Sequence, residues 1–181
     1  LHGIQSWMAQ PESLEDGTPQ FRHYPAAELP DFSDHTFSTR LILGELEGVR
    51  SPIDTEWDTI YAFIHVHKNC FYQLPDNIEE RGIYLLAGTI EVGTAVYSGH
   101  QLVLFKPGSK VDIRVNADTR MILLGGAAMD STRYIWWNFV ASSVERIAEA
   151  AAQWQAGEFP AVPGDDQEFI PLPDSPLPKK E

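Results

Sequence analysis

His65 and His67 stand one residue apart within the run 60–67, Ile-Tyr-Ala-Phe-Ile-His-Val-His. In an extended strand alternate side chains share a face, so both imidazoles could reach one metal ion. A metal centre needs further donors, and none follows at once. Lys68, Asn69, Cys70 and Phe71 come next, and the first acid is Asp76. His100 is the third candidate ligand, but it sits beside Gly99 in a turn context. Tyr61, Phe63, His65 and His67 share one parity, so the pair reads first as part of an outward or half-exposed strand face. A metal-dependent oxygenase built on His65, His67 and His100 is the competing reading, and it requires matching geometry.

Other reactive side chains are sparser. A nucleophilic Cys70 would need a base and electropositive surroundings. His67 is three residues away, and strand geometry sets the two side chains on opposite faces, so a buried, inert thiol is expected. Asp54, Glu56 and Asp58 alternate, and Glu79-Glu80 form a second acidic pair. Such carboxylates serve glycoside hydrolysis or hold a hard cation. In a chain with 26 acidic residues, however, local clusters arise by chance and a solvated surface is the default. Gly125-Gly126 lacks the spacing and lysine of a phosphate loop and reads as a turn allowing close backbone approach. Trp136 and Trp137 are expected to point to opposite sides of one strand, the outward indole marking a contact surface.

The elements that position these residues are mostly strands. Runs bounded by Gly, Pro, Asn and Asp predict strands at Phe37–Leu43, Ile60–His67, Ile83–Ala87, Thr89–Val92, Gln101–Phe105, Val111–Val115, Met121–Leu124 and Tyr134–Phe139. Strands at this spacing, with no helices between them, predict an antiparallel sandwich or barrel of the jelly-roll type. One helix is expected over Ser142–Ala156. Ser142 and Glu145 would form its capping box, Val144, Ile147, Ala151 and Trp154 its apolar face, and Gly157 its stop. The stretch Pro11–Pro30 reads as an extended connector. The tail after Gly157 holds six of the thirteen prolines, and its apolar residues predict that it lies against a surface.

Composition narrows the classes further. With 43% hydrophobic residues among 181, the chain has material for a core, which excludes global disorder. A net charge of −13 disfavours direct binding to nucleic acid. No window approaches the roughly 18 apolar residues of a spanning helix, so no membrane partner is expected. The opening segment has no basic stretch of the kind that starts a secretory leader. A single cysteine excludes an internal disulfide and a multi-thiolate zinc site. It fits a reducing compartment, and a cytoplasmic location is expected.

Several stretches, taken in order, resemble one family, the pirins, which are bicupin proteins. Leu1-His2-Gly3-Ile4-Gln5-Ser6-Trp7 resembles the LHGIQ-x-W connector near the middle of pirin chains. Gly44 to Pro52, reading GELEGVRSP, resembles the turn that opens their second half, and Tyr84-Leu85-Leu86-Ala87-Gly88 resembles a cupin strand end. Gly125-Gly126, then Tyr134 to Val140 and the capped helix, resemble the end of the second cupin. The tail from Gly157 to Pro173 resembles an extension of a bacterial-type subgroup.

The resemblance implies an all-β cupin or jelly-roll barrel with one C-terminal α-helix. Residues 1–35 would be a connector and strand belonging to a preceding N-terminal cupin, 36–141 the C-terminal cupin barrel, 142–157 the helix, and 158–181 a Pro-rich tail packed on a surface. Pirins carry their metal, usually iron, in the first cupin through three His and one Glu. That motif would lie upstream of Leu1, so no family ligand maps onto this chain. Registering Tyr84–Gly88 on the cupin strand puts the second barrel's H-x-H positions at Leu74 and Asp76, its Glu at Glu80, and its last His near Val111. Too few donors remain to hold a divalent ion. No catalytic, cofactor-binding or metal residue is therefore expected here, His65, His67 and His100 being the alternative ligand set.

Intact pirins are associated with quercetin 2,3-dioxygenase activity and, in eukaryotes, with transcriptional regulation. The expected role is thus a metal-free cupin domain supporting an N-terminal iron cupin, within a parent that acts as a quercetin 2,3-dioxygenase or a redox-linked regulator. The chain by itself is not expected to be an enzyme. The alternative is a small-ligand or protein-partner binding module that uses an empty barrel and the tail. Ile4 to Met8 would leave an unpaired edge in this chain alone. Either a homo-oligomer caps that edge, or the N-terminus is disordered to about Pro30.

Overall fold

Ile60, Ala62, Ile64 and Val66 are buried, while Thr59, Tyr61, Phe63 and His65 between them are half-exposed. This is the period of two imposed on a strand with one face against a core. The computed structural model describes residues 3–164 and 167–180 and contains two compact units.

The first unit runs from Pro19 to Ala128. Its strands are β1 (Asp31–Ser33), β2 (Phe37–Leu43), β3 (Glu45–Leu46), β4 (Val49–Arg50), β5 (Thr59–Val66) and β6 (Cys70–Leu74). They continue as β7 (Glu80–Ala87), β8 (Thr89–Val92), β9 (Ala95–Ser98), β10 (Leu102–Phe105), β11 (Val111–Val115) and β12 (Thr119–Gly126). One sheet has the order β1-β2-β5-β12-β7-β10 and the other β6-β11-β8-β9, and the pairings are antiparallel. Leu41, Ile64, Leu74, Ile83, Leu85, Ile90, Ile113, Met121 and Leu123 fill the space between the sheets and are fully buried. This is the jelly-roll barrel that the strand spacing predicts.

Two details depart from expectation. Strands β6 and β9 were not among the predicted runs. Gly125-Gly126 is not a turn but the paired end of β12, opposite Ile60-Thr59 and Arg81-Glu80. The close approach itself is present. A Cβ on Gly125 would lie 2.0 Å from the Glu80 carbonyl oxygen, and one on Gly126 2.0 Å from that of Asp58.

The second unit joins residues up to Thr18 with those from Met129 onward. The expected single strand Tyr134–Phe139 is instead a hairpin, β13 (Tyr134–Trp136) and β14 (Phe139–Ala141). Trp137 turns the chain with a left-handed φ of 51°, so it does not alternate with Trp136 across a strand. Helix α1 (Val144–Gln155) buries Ile147 and Ala151. Its N-cap is Ser143, whose Oγ accepts the Arg146 N–H at 3.1 Å, and not Ser142. Ser142 donates its hydroxyl to Glu15 Oε2 at 2.8 Å, so the anticipated capping box is displaced by one residue. Trp154 meets Trp137, Phe159 and Phe169 at ring-centroid distances of 5.3–5.5 Å, and its Nε1–H donates to the Ile170 carbonyl at 2.8 Å. Phe159, Phe169 and Ile170 of the tail thus touch the helix at Trp154.

Residues 3–10 form no strand. The segment after them is held by Arg133, whose side chain is 4% exposed. Its guanidinium reaches Glu15 Oε1 at 3.1 Å, Asp130 Oδ1 at 2.8 Å and the Gln10 carbonyl at 2.7 Å. Asp130 Oδ2 accepts the Glu12 N–H at 3.0 Å. Gln10, Glu12 and Glu15 are therefore anchored by these contacts. The Glu12 N–H, followed by the Arg133 guanidinium, holds the Asp130 carboxyl below the usual carboxylate range. A depressed folded pKa contributes stability that is present above the ordinary value of about 4 and lost as pH falls through the depressed value. Hydrogen exchange at Glu12 should stay protected at neutral pH and lose protection on acidification below about pH 4. Asp130→Asn should remove that protection already at neutral pH.

Candidate functional site

The barrel interior offers little to a metal. Leu74 and Val111, which the sequence register matches to two of the cupin ligand positions, are cross-strand partners on β6 and β11 and are only 1% and 8% exposed. Asp76 and Glu80 are exposed in and after the turn that follows β6. Arg81 is buried, and its guanidinium donates to the carbonyls of Pro75 and Ser109 and to Ser109 Oγ. It therefore clamps together the loop after Leu74 and the loop before Val111. Two aliphatic side chains with a fixed cation beside them do not form a donor set for a divalent ion. Among the described residues the interior beside Leu74 and Val111 does not offer a ligand set for iron. Tyr72 also faces inward on β6, and its hydroxyl has no hydrogen-bond partner among the described residues. Burial, followed by the Glu47 charge, pushes its pKa far up, so it remains a neutral phenol.

At the edge of the barrel lies a cavity of ≈ 460 Å³ whose lining includes Asp54, Asp58, Glu79, Glu45, Arg50 and Trp57. The structure thus brings one acid of the second predicted pair to two of the first group, leaving Glu56 and Glu80 outside the lining. Arg50 and Asp54 approach only to 3.9 Å, with both side chains largely in water, so their attraction is weak. Glu79 is committed to the Ala128 N–H at 3.0 Å. A solvated acidic rim describes this group.

The outer face of the six-stranded sheet is more informative. His65 has the outward parity of Tyr61 and Phe63, and its ring centroid lies 4.9 Å from that of His67. The structure adds a residue that the sequence keeps far away. Donor atoms of His65, His67 and Asp118 all lie within 4.8 Å of one another. His100 is not in this group. It is exposed, has φ 67°, and its N–H donates to the Leu85 carbonyl at 2.6 Å. Cys70 is half-buried against the core and pairs with Val115.

The same face is apolar along its centre. In register, Phe63 lies beside Ile122, Ile122 beside Tyr84, and Tyr84 beside Leu102, with Leu124, Gly82 and Leu104 in the next row. Leu102 and Leu104 are 52% and 72% exposed. Gly82 leaves room for them, since a Cβ there would lie 2.9 Å from Leu104 Cδ2. Sequence reasoning missed this surface because β10 and β12 read simply as core strands. Their near-continuous apolar runs were the available signal, since one-sided strands alternate.

The Pirin C-terminal cupin domain family matches residues 61–160. A pirin-like protein of Caulobacter vibrioides is 35% identical over 175 residues, covering 96% of this chain and 60% of its own length. The pirin of Rattus norvegicus is 23% identical over 160 residues, covering 82% and 54% respectively. The crystal structure of a quercetin 2,3-dioxygenase from Acinetobacter baumannii matches with a TM-score of 0.85 at 25% identity, over 96% of this chain and 59% of that one. The chain spans 54–60% of the length of these proteins.

Arg81 is the residue on which the interior's loop geometry turns. Arg81→Met leaves two part-buried carbonyls without their donor, at a cost of about 1–3 kcal/mol each and so about 2–6 kcal/mol together. Urea unfolding should show a loss in that range. An unchanged midpoint would mean that water replaces the guanidinium at no cost.

Proposed function

The chain belongs to the pirin C-terminal cupin family, and from that premise we propose that it is a non-catalytic half supporting a second, metal-bearing cupin. The observation that carries the reading is the two-sided apolar character of the central sheet. On the side away from the barrel core β10 exposes Leu102 and Leu104, beside half-buried Tyr84 and Leu124 and buried Ile122, and an exposed apolar patch on such a face is a docking surface. The partner is the N-terminal cupin of the same protein, in keeping with relatives that are longer than this chain by a domain's worth of residues. Iron belongs to that partner, because Leu74, Val111 and Arg81 leave the interior of this barrel without a ligand set. When bound there, iron would supply the oxygen chemistry of a quercetin 2,3-dioxygenase. The role of this chain's residues is to bury one side of that domain.

The −13 charge and single cysteine support a cytoplasmic protein that makes no direct contact with nucleic acid. Among the described residues no helix is long and apolar enough to cross a membrane.

The test uses the full-length protein carrying this domain, alongside the 181-residue chain. Replacing Leu102 and Leu104 together by Glu should separate the two cupins in limited proteolysis and lower quercetin turnover by at least about tenfold, the effect of about 1.4 kcal/mol of docking energy. The 181-residue chain supplied with ferrous ion should not turn over quercetin. Turnover by that chain, or a double variant with intact docking and rate, would overturn the proposal. So would a second copy of the chain occupying the Leu102–Leu104 face in the full-length protein.

A further inference from the structure

We propose that His65, His67 and Asp118 form a divalent transition-metal site on the outside of the barrel, separate from the interior position that Leu74, Val111 and Arg81 close. Two imidazoles and one carboxylate are the donor set favoured by zinc and its neighbours among the divalent ions. Three such ligands from one sheet face leave the remaining coordination positions to solvent.

The geometry is built from both sides. His65 is the penultimate residue of β5 and His67 follows its last residue, still bonded to Thr36, and the two ring centroids lie 4.9 Å apart on one face. Thr119 pairs with Val66 and Arg120 with His65, which sets Asp118 at the level of His67 on the neighbouring strand. The donor atoms of the three lie within 4.8 Å of one another, close enough for side-chain rotation to bring them onto a single ion.

Asp118 and His67 are also held by backbone hydrogen bonds. The Asp118 Oδ1 accepts the Lys68 N–H at 2.8 Å, which orients the carboxylate and leaves its second oxygen available. Next to it, Thr119 is fully buried, donates to the Ala117 carbonyl at 2.9 Å and accepts the Thr89 N–H at 3.2 Å. The turn that presents Asp118 is thereby anchored in the core. On the other strand the His67 N–H donates to the Thr36 carbonyl at 2.9 Å. Arg120 is the cation beside His65, and because it is exposed its repulsion of an incoming ion is screened by water and salt. The bound ion would tie the end of β5 to the start of β12.

Titration of the 181-residue chain with Zn²⁺ should give one equivalent bound, and the Co²⁺ form should show the visible absorption of a site with nitrogen and oxygen ligands. His65→Ala and His67→Ala should each weaken Zn²⁺ by about 100-fold and Asp118→Asn by about tenfold, on the scale of ligand and near-ligand losses. The metal should raise the melting temperature of the parent chain and not of the histidine variants. Nitrogen-15 NMR of the unsubstituted chain provides a readout that does not depend on how the variants fold. Zn²⁺ should shift His65, His67 and Asp118 and spare His23, His35 and His100. Shifts centred on those other histidines, no saturable binding, or undiminished affinity in His65→Ala and His67→Ala would each overturn the site.

Discussion

The constraint that organises the barrel unit is that its central strands are apolar on both sides. β12 carries Met121 and Leu123 into the core and Ile122 and Leu124 onto the opposite face, and β7 repeats this with Ile83 and Leu85 inward and Tyr84 and Leu86 outward. One set of side chains is satisfied by the second sheet, through Ile90, Ile113 and Val115. The other set has no second sheet of this unit over it. Ile122 is nonetheless buried and Tyr84, Leu86 and Leu124 are half-buried, so the apolar area left in water on this face is chiefly that of Leu102 and Leu104 on β10. A sheet that needs water on its outer side alternates with polar residues instead.

That constraint divides the labour inside the barrel. The positions that the resemblance matches to cupin ligands are here part of the apolar core, with Leu74 and Val111 cross-strand partners on β6 and β11. Arg81 then joins the two adjoining loops through their carbonyls, which costs the desolvation of a guanidinium and fixes the barrel mouth. Both features fill or tie down the interior beside β6 and β11. The acidic rim around Trp57 is compatible with this, since its carboxylates remain in water or are tied to backbone N–H groups.

Much of this could be read from the residues, and the exceptions have physical causes. Alternation fixed β2, β8 and β11 to their observed ends because each has one buried face and a clear turn at either side. The Tyr134–Phe139 stretch misled because two tryptophans in a row mimic a continuous strand, whereas the left-handed backbone at Trp137 makes a hairpin. The helix was found, but its cap was placed one residue early. Ser142 and Ser143 are equivalent in sequence, and only the tertiary pull of Glu15 on Ser142 tells them apart. Asp118 could not be connected to His65 and His67 without the β5–β12 register, because 50 residues separate it from Lys68, whose N–H it accepts. The resemblance to pirins, by contrast, rested on short stretches scattered along the chain, and the family it pointed to is the one that residues 61–160 match.

Parity settles where metal chemistry can occur on β5. Ile60, Ala62, Ile64 and Val66 must point inward, because they pack against Leu41, Leu123 and Met121 across two strand pairings. His65 and His67, of opposite parity, cannot enter the barrel without a one-residue slip that would expel that entire set. An H-x-H pair on this strand is therefore compatible with the core only as an external pair. Its third donor must come from a neighbouring strand end on the same face. Asp118 meets that condition and His100 does not, so the donor set follows from the packing of the core.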